Sequence, residues 1–257
     1  MDDLGFLVRS RSLRLLSDRG SAYRPGVLHR YRWRGHDIAY RPGTSDVSLI
    51  HDILLRGGGE YRPPAEVRRE AQAVGVVLDI GANIGVSALY LSVVFPSAKI
   101  YAFEPVPENF AILRQNTEAV GRITAVMTAL GAVDKSGPMY SSNDAANFGG
   151  FSLHEAGTDR RASQPVAVRN AQKEMDRLGI PAADVIKIDT EGSEWDILAS
   201  LSGRFLGSTK LILGELHGRH DFALLHLLSH RFDIGVCKRV ESRRSTFCAL
   251  RRPAPLG

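Results

Sequence analysis

Short apolar runs alternate with amphipathic segments through the C-terminal two thirds of this chain. Val76–Ile80, Lys99–Phe103 and Val185–Ile188 have the length and composition of buried strands, and apolar positions recur at helical spacing between them. Repeated strand–helix units predict an α/β fold whose mostly parallel sheet carries helices on both faces. Because ligands of such folds bind beyond the C-terminal ends of the strands, residues that directly follow a strand are the first candidates for chemistry.

The N-terminal part of the chain has a different rhythm. Its pattern predicts a helix over 4–16, a hairpin over 30–41 and a helix over 45–55. We therefore divide the chain into a small α+β extension at 1–72 and a catalytic domain at 73–257. The extension either shapes the side of the site that binds the second substrate or forms a homodimer contact, and the sequence leaves both roles open.

The remaining segments complete the predicted sheet. Residues 123–130 predict one strand, after which a polar stretch at 136–162 interrupts the alternation. Residues 232–239 and 246–251 predict an antiparallel closing pair. We expect a mostly parallel seven-stranded sheet with an antiparallel closing strand.

Composition narrows the class of protein. The chain has 257 residues, 44% of them hydrophobic, which suits a folded α/β domain with an appendage. No run approaches the roughly 20 apolar residues of a membrane helix, and no signal-peptide core is evident, so we expect a cytoplasmic protein without a membrane span. The net charge is +5, but the arginines are scattered among apolar residues, which favours solvated surface over a nucleic-acid-binding face.

A glycine-containing loop joins the first core strand to its helix. A glycine there lets the backbone approach a ligand, and asparagine tolerates the left-handed conformation better than most residues. The loop amides can bind an anionic group at the helix start. We expect one end of a cofactor site to be formed by Asp79, Gly81, Ala82, Asn83 and Gly85; a tight turn without a ligand is the alternative.

Glu104 and Pro105 follow the next strand, about 20 residues beyond the glycine loop. A carboxylate at this spacing accepts hydrogen bonds from both ribose hydroxyls of an adenosine-containing cofactor. Leu130, at the end of the following predicted strand, is assigned to the same site. A helix-capping charge is the alternative role for Glu104.

Acidic residues and one histidine follow two later strands. Asp189 comes directly after Val185–Ile188, and Glu215 and His217 share one face of the next strand end. A histidine there can remove the proton of an alcohol, and a carboxylate can orient it. Asp189, Glu215 and His217 also suit a divalent metal, which the sequence allows but does not predict.

Together these motifs resemble the FkbM-type S-adenosylmethionine-dependent methyltransferases. The similarity is carried by LDIGANIG at 78–85, YAFEPVPENF at 101–110, IKIDTEGSEWDIL at 186–198 and GELH at 214–217, with RPGTSD at 41–46 and GEY at 59–61 upstream. The resemblance implies a Rossmann-like methyltransferase fold and S-adenosylmethionine as cofactor. It also implies O-methylation of a hydroxyl on a sugar, glycolipid or natural product, so the expected partner is a small-molecule or glycoside acceptor.

This interpretation gives each candidate a role. Asp189 lies near the sulfonium and the acceptor and also contacts the cofactor, His217 is the candidate base, and Glu215 orients it. The stretch 143–152 predicts a lid or a loop on the adenine side. An NAD(P)-dependent oxidoreductase is the alternative, but Asn83 stands where many such loops have a second glycine, which argues against close approach of a pyrophosphate.

Overall fold

The computed structural model describes residues 3–142, 146–153, 158–218, 220–238 and 245–253. The extension begins with helices α1 (Asp3–Ser10) and α2 (Leu13–Asp18) and the antiparallel hairpin of β1 (His29–Trp33) and β2 (His36–Tyr40). Helix α3 (Ser45–Leu49) then continues as a π-helix (Ile50–Leu55). A 3₁₀ turn (Gly59–Tyr61), helix α4 (Ala65–Arg69) and a second 3₁₀ turn (Ala71–Ala73) follow. The hairpin and the helical stretch over 45–55 are confirmed.

The single helix predicted over 4–16 is wrong, because the chain breaks between α1 and α2. Arg11 adopts a positive φ of 50°, and the Ser12 side chain accepts a hydrogen bond from the amide of Leu15. Serine side chains compete with the helical backbone in this way and so favour helix starts over helix interiors.

The rest of the chain builds the alternating region. Its strands are β3 (Val76–Ile80), β4 (Lys99–Phe103), β5 (Ile123–Val126), β6 (Ala129–Gly131), β7 (Lys135–Ser142), β8 (Thr158–Asn170), β9 (Val185–Ile188), β10 (Leu211–Leu216), β11 (Phe232–Lys238) and β12 (Ser245–Arg251). Its helices are α5 (Val86–Val94), α6 (Pro107–Thr117), α7 (Ala171–Arg177), α8 (Glu194–Ser200), α9 (Gly203–Ser208) and α10 (Asp221–Ser229).

The main sheet has seven strands in the order β11-β12-β10-β9-β3-β4-β5. β12 runs antiparallel to both of its neighbours, and the pairs from β10 to β5 are parallel. The predicted Rossmann-like α/β fold, with an antiparallel closing strand, is confirmed. Strand order reverses between β3 and β9, which places a crevice at the C-terminal ends of those strands.

The strand predicted over 123–130 is wrong, because it divides between two sheets. β5 ends at Val126, opposite Phe103 at the end of β4, and the chain then turns. β6 pairs instead with β8, which also pairs with β7 in a small three-stranded sheet. The polar stretch 136–162 therefore contributes strands, although residues 143–145 and 154–157 lie outside the described part of the chain.

Alternating side chains of the main sheet face two apolar clusters. On β3, Val77 belongs to the cluster that contains α5, whereas Leu78 belongs to the cluster under α7 to α10. The extension packs into the first cluster through Phe6 and Tyr40, and Asn116 of α6 bonds both backbone groups of Ala39 on β2. The extension thus shares a core with the sheet and is fixed beside the crevice. Among the described residues, no helix combines the length and the apolar character that crossing a bilayer requires.

Candidate active site

The glycine loop after β3 takes left-handed backbone conformations at three positions. Gly81, Asn83 and Gly85 have φ values of 78°, 49° and 86°. A Cβ on Gly81 would overlap the carbonyl oxygen of Asp189, and one on Gly85 would lie 2.7 Å from Leu113. Only glycine meets both demands without strain, so Gly81 brings the loop close to the end of β9 and Gly85 brings α5 close to α6.

A cavity of about 510 Å³ opens at the C-terminal ends of the strands. Of the residues predicted from the sequence, its walls include Gly81, Ala82, Asn83, Glu104, Pro105, Leu130, Asp189 and Glu215. Asp79, Gly85 and His217 lie behind the wall. The structure thus brings eight candidates from five strands to one cavity and places three as their supports.

Asp79 supports the loop through a buried ion pair. Its Oδ1 lies 3.2 Å from Lys187 Nζ, and its Oδ2 accepts a hydrogen bond from Ser87 at 2.6 Å. Lys187 also donates to the carbonyl oxygen of Gly81 at 2.7 Å. Burial lowers the pKa of Lys187, but the charges of Asp79, Asp189 and Glu215 together with the hydrogen bond to Asp79 outweigh it and the net shift is upward, so the ammonium is kept at neutral pH. This pair ties the loop to β9 from beneath.

Glu104 is buried at the end of β4 and accepts three hydrogen bonds. Its Oε2 accepts from the amide of Asn83 at 2.9 Å, and its Oε1 accepts from the amide of Val106 at 3.0 Å and from Asn109 Nδ2 at 3.4 Å. Burial raises the pKa of Glu104 to about 7 despite these donors. Each carboxylate oxygen has more than one lone-pair direction, so capacity for ligand hydroxyls remains on the cavity side.

Asp189 and Glu215 stand side by side because β9 and β10 are parallel neighbours. In the register of β9 and β10, Ile188 is paired with Gly214, and these residues immediately precede the two acids. The hydroxyl of Tyr61 donates to Asp189 Oδ2 at 2.8 Å and also reaches Glu215 Oε1 at 3.3 Å. Burial, and next the charge of Glu215, raise the pKa of Asp189. The predicted pair is therefore completed by a tyrosine from the extension.

His217 lies among four carboxylates. Its Nδ1 is 3.0 Å from Glu194 Oε1, and its Nε2 is 3.5 Å from Glu215 Oε2 and 3.6 Å from oxygens of Asp189 and Glu191. Burial opposes the charged imidazole, but the carboxylates, with Glu194 first, outweigh it and raise the pKa of His217 to about 11. An imidazolium has no lone pair for a proton. In this arrangement His217 is a cation that balances acids.

Glu194 positions the acidic turn. Its Oε1 accepts from the amide of Thr190 at 2.8 Å, and its Oε2 accepts from the amide of Gly192 at 3.1 Å. Burial raises its pKa, but the hydrogen bond and charge of His217 and the backbone hydrogen bonds, with the amide of Thr190 first among them, together outweigh burial, and the net shift is downward. Ser193, the residue before α8, makes no side-chain cap hydrogen bond with that helix. The carboxylate of Glu194 therefore organises the turn that presents Glu191 and Asp189.

Within the described residues, one group offers metal-binding atoms at close range. Donor atoms of Asp189, Glu191 and His217 all lie within 4.8 Å of one another. Carboxylate oxygens and an imidazole nitrogen suit several divalent ions. A metal on Nε2 would have to displace the proton that the surrounding carboxylates stabilise, because a ligating imidazole is neutral.

The extension forms a wall of the cavity that sequence analysis did not assign to particular side chains. This wall contains Arg19, Thr44, Ser45, Ser48, Leu49, Asp52, Ile53, Glu60 and Tyr61. Tyr61 is buried, and burial, reinforced by the charges of Asp189 and Glu215, holds its pKa well above the ordinary value, so the phenol stays protonated. The sequence signal that could have marked Tyr61 was GEY at 59–61, which is part of the family resemblance. That motif does not show that Tyr61 contacts Asp189.

The stretch predicted as a lid lies against the same cavity where it is described. Ala146, Asn147, Phe148, Gly149 and Phe151 are in the lining. Phe148 is buried and contacts Tyr23 edge to face at 5.1 Å between ring centroids. Residues 143–145 of the predicted lid lie outside the described residues, so its function as a lid stays a prediction.

Comparison with known proteins identifies the class. The profile of the methyltransferase FkbM domain matches residues 79–234, more than half of the chain and all of the strand ends described above. The chain has a Rossmann-like fold of the methyltransferase class. It belongs to the FkbM methyltransferase family, which confirms the resemblance drawn from the motifs.

Individual relatives match over part of their length. The hexuronic acid methyltransferase AglP of Haloferax volcanii is 28% identical over 153 residues, covering 59% of this chain and 60% of the relative. The 31-O-demethyl-FK506 methyltransferase FkbM of Streptomyces tacrolimicus is 28% identical over 193 residues, covering 63% of this chain and 69% of the relative. Among solved structures, the methyltransferase FkbM of Methylobacillus flagellatus aligns with a TM-score of 0.49 at 17% identity, covering 79% of this chain and 53% of that one.

Proposed function

We propose that this methyltransferase uses S-adenosylmethionine to methylate a hydroxyl group of a sugar, glycolipid or natural product. The observation that carries the proposal is that one cavity joins the glycine loop and Glu104 to the paired acids Asp189 and Glu215. The first two features suit a nucleoside cofactor, and the acids suit a cationic centre and an acceptor hydroxyl. The product would be S-adenosylhomocysteine and a methyl ether.

The residues present fit the cofactor. Gly81 lets the loop turn at a positive φ beside Asp189, and the buried Oδ1 of Asn83 has no hydrogen-bond partner among the described residues. Glu104 would accept the ribose hydroxyls, and Pro105 and Leu130 would face the base. A volume of about 510 Å³ lies within the range of roughly 300–1,000 Å³ that small-molecule sites occupy.

The acids would position the acceptor and take its proton. Bound S-adenosylmethionine supplies an electrophilic methyl group on a positively charged sulfur. Asp189 Oδ1, which does not receive the Tyr61 hydrogen bond, is proposed to accept the hydroxyl proton, because its raised pKa suits a proton acceptor. The raised pKa of His217 favours the imidazolium in the free protein, so we assign His217 to charge balance instead of the role of base.

The extension would bind the acceptor, since its residues form one wall of the cavity and its Tyr61 contacts Asp189. Asp52 and Glu60 add acid to a cavity that already contains Asp189, Glu191 and Glu215. Carboxylates accept hydrogen bonds from sugar hydroxyls and repel a carboxylate acceptor. This charge favours ether formation on a hydroxyl over ester formation on a uronic acid, and it disfavours a nucleic-acid backbone in the cavity.

Calorimetric titration of the folded chain with S-adenosylmethionine and S-adenosylhomocysteine tests the cofactor. We expect saturable binding of both at one site. Failure of both to bind would overturn the proposal, and enhanced NADH fluorescence in the same preparation would favour an NAD(P)-dependent oxidoreductase.

The acceptor is tested with paired substrates that differ only at one carbon. Radiolabelled methyl transfer is compared between a hexoside and the corresponding hexuronoside, and each product is then treated with mild alkali. We expect label in the hexoside that resists alkali, as an ether does. Label that alkali releases would show an ester and contradict the assignment of a hydroxyl acceptor.

A further inference from the structure

Arg41 of the extension is a buried arginine whose Nε and Nη2 have hydrogen-bond partners, whereas its Nη1 has none among the described residues. Its Nε and Nη2 donate to the two carboxylate oxygens of Asp46 at 2.7 and 2.9 Å, and Asp46 is fully buried. Nη2 also donates to Asn109 Oδ1 at 2.9 Å. The bidentate pair holds the guanidinium plane in one orientation. The arginine therefore links the loop before α3 to helix α6 of the catalytic core.

The contact with Asn109 determines which way that amide points. Arginine is a donor only, so the oxygen of Asn109 must face it and the NH₂ group must face away. That NH₂ donates to the carbonyl oxygen of Phe148 at 3.0 Å and to Glu104 Oε1 at 3.4 Å. Arg41 thus orients the group that contacts both Glu104 and the described part of the predicted lid.

The same guanidinium also contacts Phe148 directly. It lies over the ring of Phe148, 3.7 Å from the centroid, which is close for a cation–π contact. Beside it, the amide of Ser45 donates to the carbonyl oxygen of Ala146 at 2.9 Å. Ala146 and Phe148 both line the cavity. The extension therefore holds this wall in place at the end of the cavity that contains Glu104.

We infer that Arg41 is a positioning residue for the cofactor, acting through Asn109 on Glu104 and through Phe148 on the cavity wall. The inference rests on the proposed function, since it concerns binding of the same cofactor. Lysine cannot replace this arginine, because an ammonium has neither the planar face nor the paired donors that the contacts use.

The test compares Arg41→Lys with Arg122→Lys. Arg122 is a partly buried arginine that donates to the carbonyl oxygens of Ser92, Phe95 and Ala98, none of which lines the cavity. We expect Arg41→Lys to weaken S-adenosylhomocysteine binding about tenfold or more, the loss of one charge-assisted contact. Arg122→Lys should change the affinity by no more than about twofold.

Hydrogen–deuterium exchange separates positioning from general destabilisation. In Arg41→Lys, exchange should increase in peptides covering 146–151 and remain unchanged in peptides covering Val76–Ile80. If Arg41→Lys does not fold, Phe148→Leu removes the ring that the guanidinium covers, and it should weaken binding in the same direction.

The outcomes distinguish the two proposals. If the wild type binds S-adenosylhomocysteine and folded Arg41→Lys binds it with the same affinity, the role of Arg41 is overturned and the cofactor assignment remains. Equal weakening in Arg41→Lys and Arg122→Lys, or increased exchange throughout the chain, would also overturn it, because the effect would then be one of stability. A wild-type protein that binds neither cofactor form overturns the proposed function and this inference with it.

Discussion

The hydroxyl of Tyr61 donates a hydrogen bond to Asp189 Oδ2 at 2.8 Å, although 128 residues separate the two along the chain. Tyr61 belongs to a 3₁₀ turn of the extension, whereas Asp189 follows a central strand of the sheet. The proposed proton acceptor is therefore completed by a segment that precedes the alternating fold. This hydrogen bond lowers the pKa of Asp189 against the larger effects that raise it.

Tyr61→Phe removes the phenol and keeps the ring. We expect the pKa of Asp189 to increase, so the acid limb of the pH–rate profile for methyl transfer should move to higher pH. The rate at neutral pH should fall about tenfold, the effect of one hydrogen bond to a charged group. Tyr90→Phe is the matched control, because the Tyr90 hydroxyl donates to the carbonyl oxygen of Gly57, which does not line the cavity. An unmoved acid limb in Tyr61→Phe would show that the hydroxyl does not act on the titrating group.

Glu104 predicts a pH-dependent affinity for the cofactor. Its pKa is about 7 in the free protein, and ribose hydroxyls donate to its ionised form. Binding below pH 7 must therefore release a proton, so S-adenosylhomocysteine affinity should fall about tenfold per pH unit below 7 and level off above it. Calorimetry at pH 5.5 to 8.5 measures this. Glu104→Gln should bind weakly with no such slope, and Glu108→Gln, in the first turn of α6, should keep the wild-type profile.

The same carboxyl group affects stability in the opposite direction. Because its pKa is higher in the folded than in the unfolded chain, the folded state holds the proton more tightly between pH 4.5 and 7. The free energy of unfolding should therefore decrease as the pH rises through that interval. Urea unfolding of wild type and Glu104→Gln should converge at the acid end of the range. Parallel pH profiles would contradict the burial argument.

His217 should remain an imidazolium well above neutral pH. Its pKa rises from 6.5 to about 11 on folding, so its contribution to stability is fully present below pH 6.5 and is lost as the pH approaches 11. His217→Asn should remove this slope, and His226→Asn, on the exposed side of α10, should not. Nitrogen chemical shifts of the imidazole report the charge directly. A neutral ring at pH 8 would restore His217 as the candidate base.

Chelation tests the acids as a metal site. We expect EDTA to leave S-adenosylhomocysteine affinity and methyl transfer unchanged, because a metal on His217 Nε2 must displace a proton that four carboxylates stabilise. Thermal unfolding with added Mg²⁺, Mn²⁺ or Zn²⁺ at pH 7 provides the complementary measurement. A metal-induced rise in Tm that disappears in His217→Asn would contradict this expectation and identify Asp189, Glu191 and His217 as ligands.

Local sequence was sufficient for the sheet and the glycine loop. Strand and loop signals such as Val76–Ile80 and Gly81 depend on near neighbours and on backbone freedom, which a sequence carries directly. Parallel strand direction also follows from the strand–helix rhythm, and it brings Glu104, Asp189 and Glu215 to one edge of the sheet. The prediction of one strand over 123–130 was wrong, because the tertiary structure determines whether a segment pairs with β4 or with β8.

The tertiary structure alone decided the partners and charge states of the site. Tyr61 meets Asp189, and Arg41 meets Asn109, only because the extension packs into the core shared with α5 and the sheet. The position of His217 after a strand suggested a base, but its pKa depends on carboxylates of strand β10 and of the segment after β9, at distances that spacing along the chain does not specify. Sequence determines which groups reach the edge of the sheet. Burial and proximity, which exist only in the folded chain, determine their protonation.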